Sequence, residues 1–264
     1  MNFKEYIYQH KVLCILVVIV LAVFITSIFM IIDYRNQASP VSDIIENEVF
    51  EDKSDNEPPW KPEKHDYNLD NIKSEYQKKV YYDENGNVIS KFGIDISYHQ
   101  KNIDWQLLKD EGIDFVMLRI GYRGYESGDL FIDKKFDEYI SAAQQIGIDV
   151  GVYFFSQSLN TSESVEEAEF VIDILKNYHI SYPVAYDWEP VLDEGSRTPD
   201  DTFPEMTECC VAFCNKIKEA GYTAIVYANR NQAMQHYDLQ QITGFDLWLA
   251  EYMDEPMYPY EFTM

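Results

Sequence analysis

A regular alternation of strand-like and helix-like segments between residues 92 and 250 constrains the fold more than any other feature of the sequence. Short apolar segments, typical of buried strands, occupy residues 92–97, 115–120, 149–155, 183–189, 223–227 and 245–250. Segments with helical periodicity lie between them, at residues 103–111, 133–146, 162–177 and 202–220. Repeated strand–helix units indicate an α/β fold in which helices cover a parallel sheet. On this pattern alone, a barrel and an open, doubly wound sheet are both possible.

The amino-terminal region contains an uncharged apolar run at residues 12–32. These 21 residues would span about 31 Å as a helix, close to the hydrocarbon core of a bilayer at about 30 Å. Because the run ends without a small-residue cleavage pattern, we predict an uncleaved transmembrane signal anchor. Lys4 and Lys11 precede the run, and this weak bias places residues 1–11 in the cytoplasm and the remainder outside a bacterial cell membrane.

A polar, carboxylate-rich stretch follows the apolar run. Residues 33–79 have little periodicity and too few apolar side chains to offset the entropy of ordering, so we predict a mostly disordered linker. Two short apolar segments at residues 80–82 and 88–89, separated by Asn85-Gly86, predict a small hairpin. This hairpin marks the expected start of the folded domain, at residues 80–264.

Charge and cysteine content narrow the possible partners. The formal net charge of −25 argues against a nucleic-acid partner, which demands a basic face. Cys209, Cys210 and Cys214 fall within one predicted helix, with no histidine at a zinc-like spacing beside them. We therefore expect buried thiols and neither a disulfide framework nor a zinc site at these cysteines, and we predict no cofactor. The sequence says nothing about protein partners.

Three acids lie on predicted strands: Asp95 on the first, and Asp187 and Glu189 on the fourth. Residues i and i+2 of a strand share a face, so Asp187 and Glu189 project together and Trp188 projects to the other side. Burying a lone ionised carboxylate is costly, whereas paired carboxylates raise one another's proton affinity and can divide general-acid and anionic roles. Glycoside hydrolysis needs that division. An exposed edge or a Mg²⁺ or Ca²⁺ site remains an alternative on these residues alone.

Aromatic side chains near the predicted strand ends favour a sugar ligand, because their rings are apolar and several carry a hydrogen-bonding group. The predicted substrate-contacting residues are Arg119, Tyr153, Phe155, Trp188, Tyr227 and Trp248. Arg119 would either pair with a carboxylate or extend its charged end into solvent. His99 is expected to occupy an ordinary loop.

Several of these segments, taken in order, resemble the lysozymes of glycoside hydrolase family 25, the N-acetylmuramidases. The matching segments are Phe92-Gly93-Ile94-Asp95-Ile96-Ser97 with Ile103-Asp104-Trp105, residues 115–124, Gly151-Val152-Tyr153-Phe154-Phe155-Ser156, Tyr186-Asp187-Trp188-Glu189 and Leu247-Trp248-Leu249-Ala250-Glu251-Tyr252. The resemblance covers roughly residues 80–264, and motifs in this order are highly specific.

The resemblance implies an irregular, TIM-like (β/α) barrel with five strand–helix units and three closing strands. It also implies cleavage of the β-1,4 bond from N-acetylmuramic acid to N-acetylglucosamine in peptidoglycan glycan strands, without a metal. By position, Glu189 would be the general acid, Asp187 would orient the acetamido group near the anomeric carbon, and Asp95 would be a further cleft carboxylate. Whether an acetamido oxygen or an enzyme carboxylate attacks stays open.

One departure from the family pattern concerns the last part of the barrel. Family members continue with a Trp-Gln-Tyr segment and a final strand that carries another cleft aspartate, whereas this sequence ends at Met264. We therefore expect an incomplete domain that lacks its last strand. The alternative to an enzyme is a peptidoglycan-binding module without activity. The three strand acids favour the enzyme, and the missing strand favours the module.

Overall fold

A seven-stranded sheet carries the fold of the computed structural model, which describes residues 60–75, 78–199, 205–253 and 256–262. The strands of the described residues are β1 (Ile72–Glu75), β2 (Lys78–Tyr81), β3 (Gly93–Ile96), β4 (Phe115–Arg123), β5 (Leu130–Ile132), β6 (Asp149–Ser156), β7 (Val184–Trp188), β8 (Ala224–Asn229) and β9 (Asp246–Ala250). Strands β3, β4, β6, β7, β8 and β9 lie side by side in that order, and each neighbouring pair is parallel.

This strand order decides between the two architectures that the sequence allows. A doubly wound sheet reverses direction from a central strand, whereas a barrel adds its strands in sequence order. The order here is sequential, and the sheet curls into a parallel half-barrel with β3 and β9 at its ends. The predicted α/β fold with a parallel sheet is confirmed.

Helices connect the parallel strands and begin where side chains cap them. They are α1 (Trp105–Asp110), α2 (Phe136–Gln145), α3 (Thr161–Leu175), α4 (Met206–Glu219), α5 (Arg230–Gln235) and α6 (Leu239–Ile242). Asp104 caps α1 by accepting a hydrogen bond from the Leu107 amide, and Asn160 caps α3 through the Glu163 amide. The first four helices match the predicted segments to within a few residues. The predicted start of α4 falls on residues 202–204, which lie outside the described residues.

The two faces of the sheet are buried in different ways. Val116, Leu118 and Ile120 of β4 point outward and are buried in the main core beneath the helices. The alternate residue Met117 points inward and forms a small second cluster with Ala185 of β7 and Ile225 of β8. This inner cluster closes the floor of the half-barrel below the carboxyl ends of the strands.

The predicted cysteine environment is confirmed on α4. Cys209, Cys210 and Cys214 are free thiols with no exposed surface, and all three belong to the main core. Burial raises the pKa of the Cys209 thiol to about 11 and the pKa of Cys210 well above its ordinary value. These thiols therefore stay protonated and act as apolar core residues.

The boundary between linker and folded unit differs from the prediction. The compact unit that contains the sheet begins at Trp60. Strand β1 and the first two residues of β2, which pairs antiparallel with it, lie in the stretch that we predicted as disordered. Lys64 forms an antiparallel bridge with Tyr260, and the Tyr67 hydroxyl donates a hydrogen bond to the Phe262 carbonyl at 2.6 Å. The prediction failed because it used the average composition of the stretch, which is acidic. The residues that order it have partners almost two hundred residues away in the sequence. The predicted turn at Asn85-Gly86 is present, with an antiparallel bridge from Tyr82 to Val88.

Two further findings concern β5 and the membrane span. β5 pairs antiparallel with the end of β4 and was not predicted, because three residues give too short a periodic signal. Among the residues that the structure describes, no helix has the length and hydropathy to cross a bilayer. The anchor predicted at residues 12–32 lies outside the described residues.

Candidate active site

A cavity of about 440 Å³ opens at the carboxyl ends of the parallel strands. Its lining residues are Asp95, Ser97, His99, Arg119, Tyr153, Phe155, Asp187, Glu189, Tyr227, Trp248, Leu249, Ala250, Glu251 and Tyr252. Eight of the nine residues predicted from the sequence are in this set. The structure therefore brings together acids from β3 and β7 with aromatic residues from β6, β8 and β9.

Strand periodicity explains how the cavity lies above the inner cluster. Arg119 follows Met117 by two residues, Asp187 follows Ala185, and Tyr227 follows Ile225. Because alternate residues share a face, each of these side chains projects from the same side of the sheet as the cluster residue before it. The apolar floor thus carries a layer of acids, one arginine and aromatic rings.

Asp187 is the most deeply buried of the cavity acids, with 7% of its surface exposed. In register, Phe155 of β6 and Tyr227 of β8 flank it. Its Oδ1 atom has no hydrogen-bond partner among the described residues. Burial raises the pKa of Asp187 well above its ordinary value, the Glu189 charge raises it further, and Arg119 opposes the rise. Asp187 can therefore hold a proton or accept a hydrogen bond from a bound molecule.

Glu189 lies one residue beyond the end of β7 and is half-buried. Burial raises its pKa above the ordinary glutamate value, a hydrogen bond from Tyr227 lowers it, and the Asp95 charge raises it. Asp95 itself is exposed at the cavity. Because burial raises the pKa of both acids and the Glu189 charge raises the pKa of Asp187 further, the pair keeps a proton to higher pH than isolated carboxylates would.

Arg119 does pair with a carboxylate, which is one of the two alternatives left open by the sequence. Its Nε donates to Asp133 Oδ2 at 2.9 Å, and that aspartate is nearly inaccessible to solvent. The guanidinium also lies over the rings of Tyr98 and Tyr122, at 5.0 and 5.1 Å from their centroids. Its Nη2 atom is buried and has no hydrogen-bond partner among the described residues.

Aromatic rings form one wall of the cavity. The Trp248 ring meets Tyr227 edge-on at a centroid distance of 5.0 Å and meets Tyr153 at 6.4 Å. Trp188 is the exception among the predicted substrate contacts, and that prediction is wrong. Its side chain has no exposed surface and belongs to the main core, because it alternates with Asp187 and Glu189 and faces the helices.

Comparison with known proteins identifies the family. The model of the family named "Glycosyl hydrolases family 25" matches residues 94–264, which is more than half of the chain. The chain belongs to glycosyl hydrolase family 25. A curated relative, the autolytic lysozyme of Clostridium acetobutylicum, is 21% identical over 160 residues, which cover 61% of this chain and 44% of that protein. The prediction of a glycosidase of the lysozyme family is confirmed at the level of family.

Solved structures of family 25 proteins share this fold. The modular autolysin LytC from Streptococcus pneumoniae, in complex with a synthetic peptidoglycan ligand, is 25% identical with a TM-score of 0.59, covering 73% of this chain and 46% of that one. A family 25 glycosyl hydrolase from Bacillus anthracis is 20% identical with a TM-score of 0.54, covering 70% of this chain and 80% of that one. The chain spans less than half of the length of the autolytic lysozyme and of LytC.

Several residues that line or support the cavity were not predicted as functional. His99 lines the cavity, and the centroid of its ring lies 4.0 Å from that of Tyr98. It lies in a short 3-10 helix, Tyr98–Gln100, and not in the ordinary loop that we expected. Glu251 also lines the cavity, but its Oε2 accepts the Met257 amide at 2.9 Å and so holds the chain that follows β9. Asp133 precedes α2 and carried no signal in the sequence beyond its charge.

Metal binding has no support among the residues that the structure describes. Those residues contain no group of three or more histidine, cysteine, aspartate or glutamate side chains arranged to hold a metal ion. The cavity instead combines the buried Asp187 and the half-buried Glu189 with an arginine and a wall of aromatic rings. This combination suits acid–base chemistry on a polar ligand with apolar faces.

Proposed function

We propose that this chain is a peptidoglycan hydrolase that cleaves the β-1,4 bond from N-acetylmuramic acid to N-acetylglucosamine. The observation that carries the proposal is the acid pair Asp187 and Glu189 on one face of β7, inside an aromatic-lined cavity of a family 25 chain. The pneumococcal autolysin LytC, which shares the fold, has been solved with a synthetic peptidoglycan ligand. That complex supports glycan strands of peptidoglycan as the substrate class.

Glu189 is the general acid of the proposed reaction. It must carry a proton when the substrate is bound and must give it to the oxygen of the leaving sugar. Burial and the Asp95 charge both raise the pKa of Glu189, so the protonated form persists closer to neutral pH. The Tyr227 hydroxyl opposes this shift and stabilises the carboxylate after the proton has left.

Asp187 assists at the anomeric centre of the sugar. Its carboxylate lines the cavity, where it accepts the amide hydrogen of the substrate's acetamido group and orients that group toward the anomeric carbon. Arg119 helps to keep Asp187 available as an anion, because it lowers the pKa that burial raises. Asp95, at the exposed side of the cavity, adds negative charge near the oxocarbenium-like centre. The rings of Tyr153, Tyr227 and Trp248 stack on sugar faces.

A direct test uses the full chain, purified in mild detergent because of its apolar amino-terminal run, and dye-labelled peptidoglycan. The proposal predicts release of soluble dye by the wild-type chain and loss of release in Glu189→Gln. Glu84→Gln, which changes an exposed acid outside the cavity, is the matched control and should behave as wild type. Binding to the wall without release would support the binding-module alternative.

We also propose that residues 12–32 anchor the chain in a bacterial cell membrane, with residues 1–11 in the cytoplasm and the family 25 unit outside. The support is the uncharged run of 21 residues and the lysines before it. Protease added to cells that lack their wall but keep an unbroken membrane should cut the chain near residue 60. Full protection of the chain from protease, in cells whose membrane stays unbroken, would contradict this orientation.

A further inference from the structure

The general acid lies where the sheet no longer fixes the backbone. The last register pairs of β7 are Trp188 with Ser156 and Asp187 with Tyr227, so the Glu189 backbone lies beyond the ladder. Pro190 follows and has no N–H to donate. Pro190 also disfavours a helical conformation of the residue before it, Glu189, and this keeps the backbone extended. Glu189 shares a face with Asp187 only while the backbone stays extended.

Two buried side-chain amides hold the backbone at this point. Gln157 Nε2 donates to the Glu189 carbonyl at 2.7 Å and to the Ser156 carbonyl at 2.8 Å. Gln232 Nε2 donates to the Trp188 carbonyl at 3.1 Å. Gln157 and Gln232 are 0% and 1% exposed. Water therefore cannot easily replace either bond, and loss of one would leave a buried carbonyl unsatisfied.

Both amides are themselves fixed in one orientation. The Thr198 hydroxyl donates to Gln157 Oε1, and Thr198 is 3% exposed. The backbone N–H of Asn229 donates to Gln232 Oε1 at 3.1 Å, within the capping box that begins α5. An amide whose oxygen is engaged in this way presents only its N–H groups to the carbonyls of β7.

We propose that Gln157 and Gln232 are positioning residues that set the direction of the Glu189 side chain, and that Thr198 fixes Gln157 in that task. The inference rests on the proposed function, in which Glu189 is the general acid. Neither amide lines the cavity, so both act through the backbone. A misplacement of about 1 Å in a reacting group can cost on the order of 100-fold in rate. It would also separate Glu189 from the Tyr227 hydroxyl.

The test compares near-isosteric variants of the full chain. Thr198→Val removes the donor to Gln157, and Gln157→Met removes the amide while keeping the length of the side chain. We expect kcat to fall at least about 10-fold in Thr198→Val and about 100-fold in Gln157→Met, with KM within about twofold. The alkaline limb of the kcat profile should move to higher pH, because Glu189 loses the Tyr227 hydrogen bond that lowers its pKa.

Thr207→Val is the matched control. Thr207 is 5% exposed, and its Oγ1 accepts the Asp238 amide at 2.9 Å, outside the cavity. This variant should lower the melting temperature while leaving kcat and the pH profile of the folded protein unchanged. If Thr198→Val and Gln157→Met also lower only the melting temperature, Gln157 has only a structural role and the inference is wrong.

A second readout does not depend on turnover. Carbon NMR titration of the Glu189 carboxyl group in the full chain should give a higher pKa in Thr198→Val than in wild type. An unchanged Glu189 pKa would overturn the inference. An inactive wild-type chain would refute the proposed function alone. The titration would still show whether the Glu189 pKa changes in Thr198→Val. An active wild type with inactive Glu189→Gln and unaffected Thr198→Val would refute the inference alone.

Discussion

Replacing Tyr227 with phenylalanine should move the alkaline limit of activity to higher pH. The Tyr227 hydroxyl lowers the Glu189 pKa, because it acts as a hydrogen-bond donor to the ionised carboxylate. A hydrogen bond stabilises the ionised form, so its loss raises the pKa. A general acid works only while protonated, so a higher Glu189 pKa extends activity toward alkaline pH.

The size of the shift follows from the strength of the bond and the exposure of Glu189. A hydrogen bond to a charged group contributes about 1.5–3 kcal/mol, and one pKa unit corresponds to about 1.4 kcal/mol, so complete loss would raise the pKa by about 1–2 units. Glu189 is half-buried, and water can replace part of the lost bond. We therefore expect the alkaline limit of activity to move up by about 0.5–1 pH unit.

The assay is the pH dependence of kcat/KM on a soluble oligosaccharide of peptidoglycan, because this ratio reports the pKa values of the free enzyme. Tyr82→Phe is the matched control: Tyr82 also hydrogen bonds to a glutamate, Glu75, but it lies outside the cavity. The control should leave the profile unchanged. An alkaline limb that stays in place or moves to lower pH in Tyr227→Phe would refute the assignment of Glu189 as the acid.

Two further substitutions test the electrostatics of the site and of the core. Asp95→Asn removes a charge that raises the Glu189 pKa, so the alkaline limb should move down by a few tenths of a unit; the shift is small because Asp95 is exposed, and raised salt should shrink it. An upward shift would contradict this. Arg123→Met removes the partner of Glu167, which Arg123 Nε contacts at 2.7 Å in a pair with 4% and 0% exposure. We expect a loss of about 3–5 kcal/mol of unfolding free energy in urea titrations, and a loss below about 1 kcal/mol would show that the pair does not stabilise the fold.

The strands and the acid pair could be predicted because their signals are local. Each parallel strand is a short apolar run, and its placement on the sheet follows from connection rules. Asp187 and Glu189 share a face because their spacing is two residues in an extended chain. The choice of a barrel over a doubly wound sheet needed either the strand order or the resemblance to family 25.

The features that escaped prediction depend on contacts between distant parts of the chain. Gln157 reaches Glu189 across 32 residues, and Tyr67 reaches Phe262 across 195. An isolated glutamine or tyrosine gives no sign of such a partner. Trp188 was misassigned for a different reason: its aromatic character outweighed the strand alternation that points it into the core. The same alternation rule, applied strictly, would have corrected it.

The sugar ends that cleavage creates test most directly whether Glu189 drives cleavage after N-acetylmuramic acid. Purified peptidoglycan is digested with the full chain, the new sugar ends are reduced with borohydride, and they are identified by mass spectrometry. We expect reduced N-acetylmuramic acid at the new ends with wild type and none with Glu189→Gln. Reduced N-acetylglucosamine at those ends, or equal cleavage by Glu189→Gln, would contradict it.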